Sequence, residues 1–509
     1  MKKISFIILV LILALSFFLG ARMLLGGDFY YLYDQARDYL LAQNIVNTHS
    51  LILIGDHSGL GGFFHGPLWI YMFVPIYLLG NGNPMCFAYF YACIPVLTVF
   101  IAYILGTKLY DQKAGSIFAL LLALSPITWG TVANTISNNL EPLVYLFLFY
   151  FLIRFLRGYA KSFILVAFFT GLSLQFETSS ALMLIPTIFV IFLFNIAPAK
   201  NRKVIGWSIL AYLVSITTFI LFDIRHNFLM LHSLLNSFGG TKQRGYLELN
   251  DRLPAHFNSM LGAYKSVLFN DNIILVILFA VIIIFAVVLF LIEKNKEYKR
   301  EFFYLLLFPL LFYAFFLVYP YYIWANYVYG LLVPVAIVFL LAIITIWRYR
   351  VGKVLVVVFF AVTFFYVSSY LHTQYFKPYQ PDTTAGSYLN QKAVVQWLYA
   401  DAGTGKYGHF VYSQDTFTVG MDYLIPWYGK NQKQTSFESQ KDKITYLIMY
   451  PHQTNDEGAY DFWKKNVLHT NGQVLMTKSF AGDITVEKLA IIGQEPAVDP
   501  NYYQNLIFR

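Results

Sequence analysis

The sequence predicts an α-helical, polytopic membrane protein of about eleven spans with a small soluble α/β domain at its C-terminal end. Three observations predict it. Of 509 residues, 58% are hydrophobic and 12% are charged, against roughly 45–50% and about 25% in a soluble globular chain. The apolar excess is gathered into runs of about 18–22 residues, the length that crosses about 30 Å of hydrocarbon. Lys and Arg sit in short loops between those runs, which is how a membrane protein encodes its topology. A net charge of +9 therefore does not point to nucleic acid, and no RNA-binding motif, zinc spacing or P-loop accompanies it. The 49 Phe and 40 Tyr residues suit membrane interfaces, where one ring edge is apolar and the other wet.

Met1–Lys3 is a short basic start. The apolar run Ile4–Leu25 is longer than a secretory signal core and lacks a clear small-residue cleavage site, so it reads as an uncleaved first span. Residues 26–83, mixed in polarity and rich in Gly and aromatics, read as a large outer loop with helices lying at the interface. Further spans are expected at about 84–106, 115–133, 139–156, 162–176, 180–195, 204–223, 272–293, 301–318, 326–346 and 353–371. The basic loops Lys108–Lys113, Arg154–Lys161, Lys200–Lys203, Lys294–Arg300 and Arg348–Lys353 then share one side. The inward bias of Lys and Arg makes that side cytoplasmic. Residues 26–83, 134–138, 177–179, 224–271, 319–325 and 372–509 fall outside, in a multi-pass protein of the cell membrane with a cytoplasmic N-terminus. Cys86 and Cys93 share one apolar run about two helical turns apart, too far for a disulfide.

Residues 1–371 thus form the membrane domain, with outer loops at 26–83 and 224–271. From His372 the composition is that of a soluble domain. Lys392–Tyr399 has a helical pattern, while His409–Ser413, Ile444–Tyr450 and the Val474–Ile492 region read as strands.

Charge is scarce enough that each ionisable group near a span is a functional candidate. Four outer clusters stand out. In Asp34-Gln35-Ala36-Arg37-Asp38, Asp34 shares a helix face with Arg37 and Asp38. A carboxylate beside an arginine is a candidate base, and the alternative is a capping aspartate on a solvated helix. His65, in Phe64-His65-Gly66-Pro67-Leu68, stands at a turn before an apolar helix and could contact a phosphate or sugar, or be structural. Glu141, at the outer start of a span, and Glu177, in a tight loop, could line a polar cavity or cap helices. Arg225 and His226, with Lys242 and Arg244 further along, make a basic outer loop. Such a loop suits a lipid phosphate or simply anionic headgroups.

Together these features resemble the GT-C glycosyltransferases. Within that superfamily they are similar to the dolichyl-phosphate-mannose–protein mannosyltransferases and the lipid A aminoarabinose transferases. The resemblance covers residues 1–371. It rests on a first span followed at once by an acidic motif in a long outer loop, here Asp34-Gln35-Ala36-Arg37. A turn matching the family's His-Pro-Pro-Leu follows, here His65-Gly66-Pro67-Leu68, and then Leu120–Pro126 and Asn138–Leu146. Gln35 stands where the family has a second acid, and Glu141 where aspartate is usual. The resemblance points to Asp34, Arg37 and Glu141 as catalytic residues; His65 and Glu177 are candidate substrate contacts, and the uncommon basic outer cluster suggests that Arg225, with His226 and Lys242 or Arg244, holds the lipid phosphate. It implies a donor sugar on a polyprenyl phosphate, an extracytoplasmic lipid, glycan or protein acceptor, and inverting displacement. The acceptor hydroxyl needs a base and the outgoing phosphate needs positive charge. Phosphate leaves readily without a general acid, so no cofactor is expected. A divalent metal is optional, and no ligand set for one stands out.

A lipid-linked glycan flippase or other transporter would also be polytopic with buried charge. Such proteins usually show paired repeats with broken helices, and no repeat is evident here. An inactive, glycan-binding membrane scaffold, with recognition in residues 372–509, is the third reading.

Overall fold

The computed structural model describes residues 3–195, 202–238, 246–268, 272–292, 296–377, 379, 383–413, 418–430, 432–452 and 457–504. Long Leu-, Ile- and Phe-rich runs form helices because only a helix satisfies every backbone group within the segment. All of the expected spans contain helix. Among the described residues, however, five helices are long and apolar enough to cross a membrane: Pro84–Leu109, Ser137–Leu156, Ile273–Ile292, Ala325–Ile346 and Arg350–Tyr375. Arg202–Ser215 and Thr217–Arg225 make a sixth only if their 64° bend is one broken span. Ile4–Gly20, Leu68–Leu79, Gln112–Leu124, Ser162–Ser173 and Thr178–Phe194 are apolar but shorter. The expected count of eleven is therefore not established. The expected span at 115–133 is interrupted before Pro126, where a short helix Pro126–Gly130 starts afresh, because a residue preceding proline is pushed out of the helical region.

The helix Leu332–Ile346 is enclosed along nearly its whole length and forms the hub of the helical core. Ile273–Ile292 instead exposes Ile273, Ile277 and Ile284. Residues 224–271, expected as a loop, contain two helices, Leu229–Phe238 and Leu249–Leu268. Both are amphipathic: the first interleaves His, Ser and Asn among leucines, and the second interleaves Asp, Arg, Asn and Lys among apolar residues.

The C-terminal part carries a five-stranded mixed sheet: β1 (Gly405–Tyr412), β2 (Thr435–Glu438), β3 (Ile444–Met449), β4 (Gln473–Ser479) and β5 (Thr485–Ala490). Its order is β2-β1-β3-β5-β4. The β1–β2 and β1–β3 pairs are parallel, and β5 runs antiparallel to β3 and β4. The predicted helix at 392–399 lies inside Tyr388–Ala402. Strand β2 and the helices Val419–Gly429 and Glu457–Asn466 were not expected.

This part is built onto residues 26–83. Asp28, fully buried, accepts hydrogen bonds from Ser387 Oγ (2.8 Å) and from the backbone N–H groups of Leu389 (3.1 Å) and Phe29 (2.9 Å). It thereby holds the start of the helix Tyr388–Ala402. Tyr39 stacks on Phe87 with ring centroids 4.1 Å apart and meets Tyr423 edge-on at 5.6 Å. One apolar core thus runs from the helix Tyr33–Thr48 through Trp69 and Phe73 into the sheet.

Candidate functional site

The site starts from the helix Tyr33–Thr48. Its first residues are ordered by Gln35, whose Oε1 accepts from the Leu32 N–H (2.9 Å). Gln35 Nε2 donates to Asn134 Oδ1 (3.1 Å) and the Thr135 carbonyl (3.0 Å). The residue that replaces the family's second acid is therefore a clamp between the helix and residues 134–135. Leu32, not Asp34, occupies the N-cap position, so the capping reading of Asp34 does not hold.

Asp34 instead pairs with Arg37 one turn on, Nη1 to Oδ1 at 2.7 Å. Arg37 also donates through Nε (3.0 Å) and Nη2 (2.8 Å) to Asp38, and its Nη1 lies 2.5 Å from Asp56. Its guanidinium stands over the Tyr33 ring at 5.1 Å. Trp69 Nε1 fixes the other Asp38 oxygen at 2.7 Å. Three carboxylates thus surround one arginine. Asp38 is enclosed and Asp56 largely so, at 2% and 19% side-chain exposure, while Asp34 is 52% exposed. Burial pushes Asp38 up to about 7 and Asp56 up to about 6, in each case against the downward pull of Arg37.

Asp56 arrives on a loop that folds back on itself. Gly55 N–H donates to the His65 carbonyl (2.8 Å), His65 N–H to the Asp56 carbonyl (2.7 Å) and Ser58 N–H to the Phe63 carbonyl (2.9 Å). The returning strand brings His65 beside Asp56. Gly66 is required there, because a Cβ would lie 1.9 Å from Gln175 Oε1. His65 Nδ1 accepts from the Thr178 N–H at 3.3 Å, which assigns the ring proton to Nε2. Burial lowers His65 to about 4, so the ring is a neutral donor at ordinary pH.

Asp34, Arg37, Asp38, Asp56, His57 and His65 line a polar cavity of about 310 Å³. Its other wall includes Asn138, Glu177, Trp324, Asn326 and Tyr327. Glu177 caps the helix Thr178–Phe194 by accepting from the Ser179 N–H (2.7 Å), and it also accepts from Asn138 Nδ2.

Of the residues singled out in the sequence, Asp34, Arg37, His65 and Glu177 meet in this cavity. Glu141 does not. It is fully buried, accepts from the Ser180 hydroxyl and from the Gly330 N–H (3.1 Å), and joins two helices. Its position at a helix start turned it inward, where Gly330 lies against Tyr145. Arg225 and His226 are exposed and outside the cavity lining. Arg225 ends the helix Thr217–Arg225, and His226 stacks on Phe222 with centroids 4.1 Å apart. Lys242 and Arg244 lie outside the described residues. Sequence reasoning missed Asp56, His57, Trp324, Asn326 and Tyr327. Asp56-His57, an ionisable pair among glycines, was the available signal. Among the described residues, no three His, Cys, Asp or Glu are grouped so as to hold a metal ion.

No protein-family model matches the sequence, and no curated protein matches it. Solved structures match the fold. The chain is similar to ArnT from Cupriavidus metallidurans bound to undecaprenyl phosphate, with a TM-score of 0.57 at 11% identity, over 96% of this chain and 98% of that one. The same protein in the apo state gives 0.56 at 10% identity, over 95% and 97%. The Archaeoglobus fulgidus oligosaccharyltransferase tethered to an acceptor peptide containing the NVT sequon gives 0.50 at 12% identity, over 84% of this chain and 63% of that one. At these identities the likeness is one of fold.

Proposed function

We propose that the protein is a membrane glycosyltransferase that moves a sugar from a polyprenyl-phosphate donor to an extracytoplasmic lipid, glycan or protein acceptor. The observation that carries this reading is the half-exposed Asp34 held on an enclosed arginine at the edge of a polar cavity. A carboxylate that is fixed in place yet reachable is what general-base catalysis needs. The acceptor oxygen attacks the anomeric carbon as its proton passes to Asp34. The bond from that carbon to the phosphate oxygen breaks, its electron pair leaves with the phosphate, and the configuration inverts. Arg37 keeps Asp34 in position, while His65 Nε2–H offers a neutral donor to a sugar or phosphate oxygen. Relatives of fold support the donor class: ArnT has been solved with undecaprenyl phosphate bound.

An apolar cleft of about 580 Å³ supports the same reading. Its lining includes Met260, Tyr264, Ile283, Leu310 and Val338, a surface suited to an isoprenoid chain. The helix Leu249–Leu268 supplies Met260 and Tyr264 to the cleft, and about one turn before Met260 its His256 Nε2 meets the Tyr321 carbonyl at 2.8 Å. The neighbouring Tyr319 hydroxyl is 3.2 Å from Ser179.

The test is transfer in proteoliposomes supplied with a panel of radiolabelled polyprenyl-phosphate sugars. At least one donor is expected to lose its label to an acceptor in a protein-dependent manner. Loss of no label from any donor, with folded protein, overturns the proposal.

A further inference from the structure

A second cavity lies along the same outer helix, where the C-terminal sheet docks on it. It has a volume of about 560 Å³, within the range of about 300–1,000 Å³ typical of small-ligand sites. The helix Tyr33–Thr48 supplies Gln43, Asn44 and Asn47, and the C-terminal part supplies His409, Asp422 and Phe437. This chemistry differs from that of the first cavity. No Lys or Arg lines it among the described residues; the neighbouring Lys430 ammonium is taken up by Tyr77, donating to its hydroxyl at 3.1 Å and standing over its ring, so the lining itself presents no cation to a phosphate. Burial pushes Asp422 up to about 7 and His409 down to about 4, which brings both toward neutrality.

What remains is a set of amides beside a carboxyl and an aromatic face. Each amide offers two N–H donors and an acceptor oxygen, the complement of a hydroxyl that must both donate and accept. Asn44 and Asn47 lie one turn apart and are exposed, so their side chains stand open to a ligand. Asp422 takes a hydrogen bond from Thr418 Oγ1 at 2.7 Å, which fixes its orientation. Phe437 is half-buried against Tyr399, Tyr407 and Tyr446, rigid enough to receive the apolar face of a sugar ring. Its strand, β2, is a sheet edge, but at four residues it is short for pairing with an added peptide strand.

We propose that this groove between the helix Tyr33–Thr48 and the C-terminal sheet binds a neutral, hydroxyl-rich oligosaccharide. Asn44 lies ten residues beyond Asp34, or about 15 Å along the helix axis. An oligosaccharide held here therefore lies one or a few sugar units from the first cavity. Resting on the transfer reading, the groove is the distal acceptor subsite. The binding itself does not depend on that reading.

The test is saturation-transfer NMR on the full chain in nanodiscs, titrated with neutral tri- and tetrasaccharides of glucose, mannose and N-acetylglucosamine. At least one is expected to saturate. Asn44→Ala/Asn47→Ala should weaken it at least about tenfold with unchanged thermal stability, and Asp34→Asn should leave it unchanged. The expected binding is not displaced by sugar phosphates. Saturation by none of the oligosaccharides, an unaltered affinity in the double variant, or binding of uncharged peptides in their place overturns the proposal. A saturating oligosaccharide in a protein with no transfer activity supports the groove and removes only its role as an acceptor subsite.

Discussion

Residues 26–83 and 224–271 look alike in sequence: each follows an apolar run and carries charge beside aromatics. They fold differently. In the first, Arg37 is 8% exposed and meets three carboxylates. In the second, Arg225 ends an exposed helix and lines no part of the cavity. The first region is held by Trp69, by the fold-back of Gly55–His65 and by the C-terminal part docked through Asp28. In the second, the helix Leu249–Leu268 is anchored by Arg252 and His256, which meet backbone carbonyls of Leu247, Leu317, Val318 and Tyr321 rather than carboxylates. A charge at a membrane surface becomes chemistry where surrounding packing removes its freedom and its water. Elsewhere it remains an attraction for anionic lipid.

The sharpest way to break this contrast is Asp34→Asn. The amide keeps the size of the side chain and accepts from Arg37, so Tm is expected to change little. Loss of a general base is typically worth about 10²–10⁴-fold, and kcat in the proteoliposome assay is expected to fall by that factor. A stable Asp34→Asn protein with wild-type turnover would remove Asp34 from the mechanism, and Asp56 would become the next candidate.

Arg37 tests the packing half of the contrast. Removing one partner of a buried ion pair costs about 3–5 kcal/mol, and Arg37→Ala leaves Asp38 enclosed without its counter-charge. The pH dependence has a definite sign. The folded-state values of Asp38 and Asp56, about 7 and about 6, lie above the ordinary 3.8. The native state therefore holds more protons than the unfolded chain between those values. The stability this confers is fully present below about pH 4 and is lost as pH rises through about 6 and 7. Without Arg37 both carboxylates become harder to ionise, so the loss should steepen. Thermal unfolding from pH 4.5 to 8 (on the order of these pKa values) should show the variant nearest wild type at the acid end. A deficit constant with pH would mean that Arg37 acts by packing alone.

What could be read from the sequence divides along the same line. Asp34 and Arg37 were legible because three-residue spacing puts them on one helix face whatever surrounds them. His65 was legible as a turn residue, and the sheet-bearing C-terminal part as a change in composition at about His372. Asp56 was not, because its approach to Arg37 depends on the fold-back of Gly55–His65, a contact across residues distant in the chain. Gln35 looked like a missing acid, yet it clamps residues 134–135, and the carboxylates Asp38 and Asp56 stand beside Arg37 instead. Glu141 looked accessible at a helix start, but side-chain direction there is decided by the Gly330 backbone, far along the sequence. The helices of 224–271 were hidden because their apolar residues are interleaved with polar ones, His, Ser and Asn in the first and charged residues in the second, so that neither reads as a span.

The smallest expected effect concerns Arg225. A phosphate-binding arginine in the cavity would be needed most in the transition state, and its loss would lower kcat. Arg225 lies outside the cavity lining, so its contribution should be that of a basic side chain near an anionic surface, about 1 kcal/mol. Arg225→Ala is then expected to raise the apparent KM for the lipid donor about fivefold at low salt, with kcat unchanged. Because such an attraction is screened over about 10 Å at 0.1 M ionic strength, the difference from wild type should shrink as salt is added. Arg225→Lys should restore it, since a diffuse attraction needs charge and not the guanidinium fork. A salt-independent fall in kcat that lysine fails to rescue would show that Arg225 reaches the leaving phosphate during turnover, and the contrast between the two regions would then fail at its central residue.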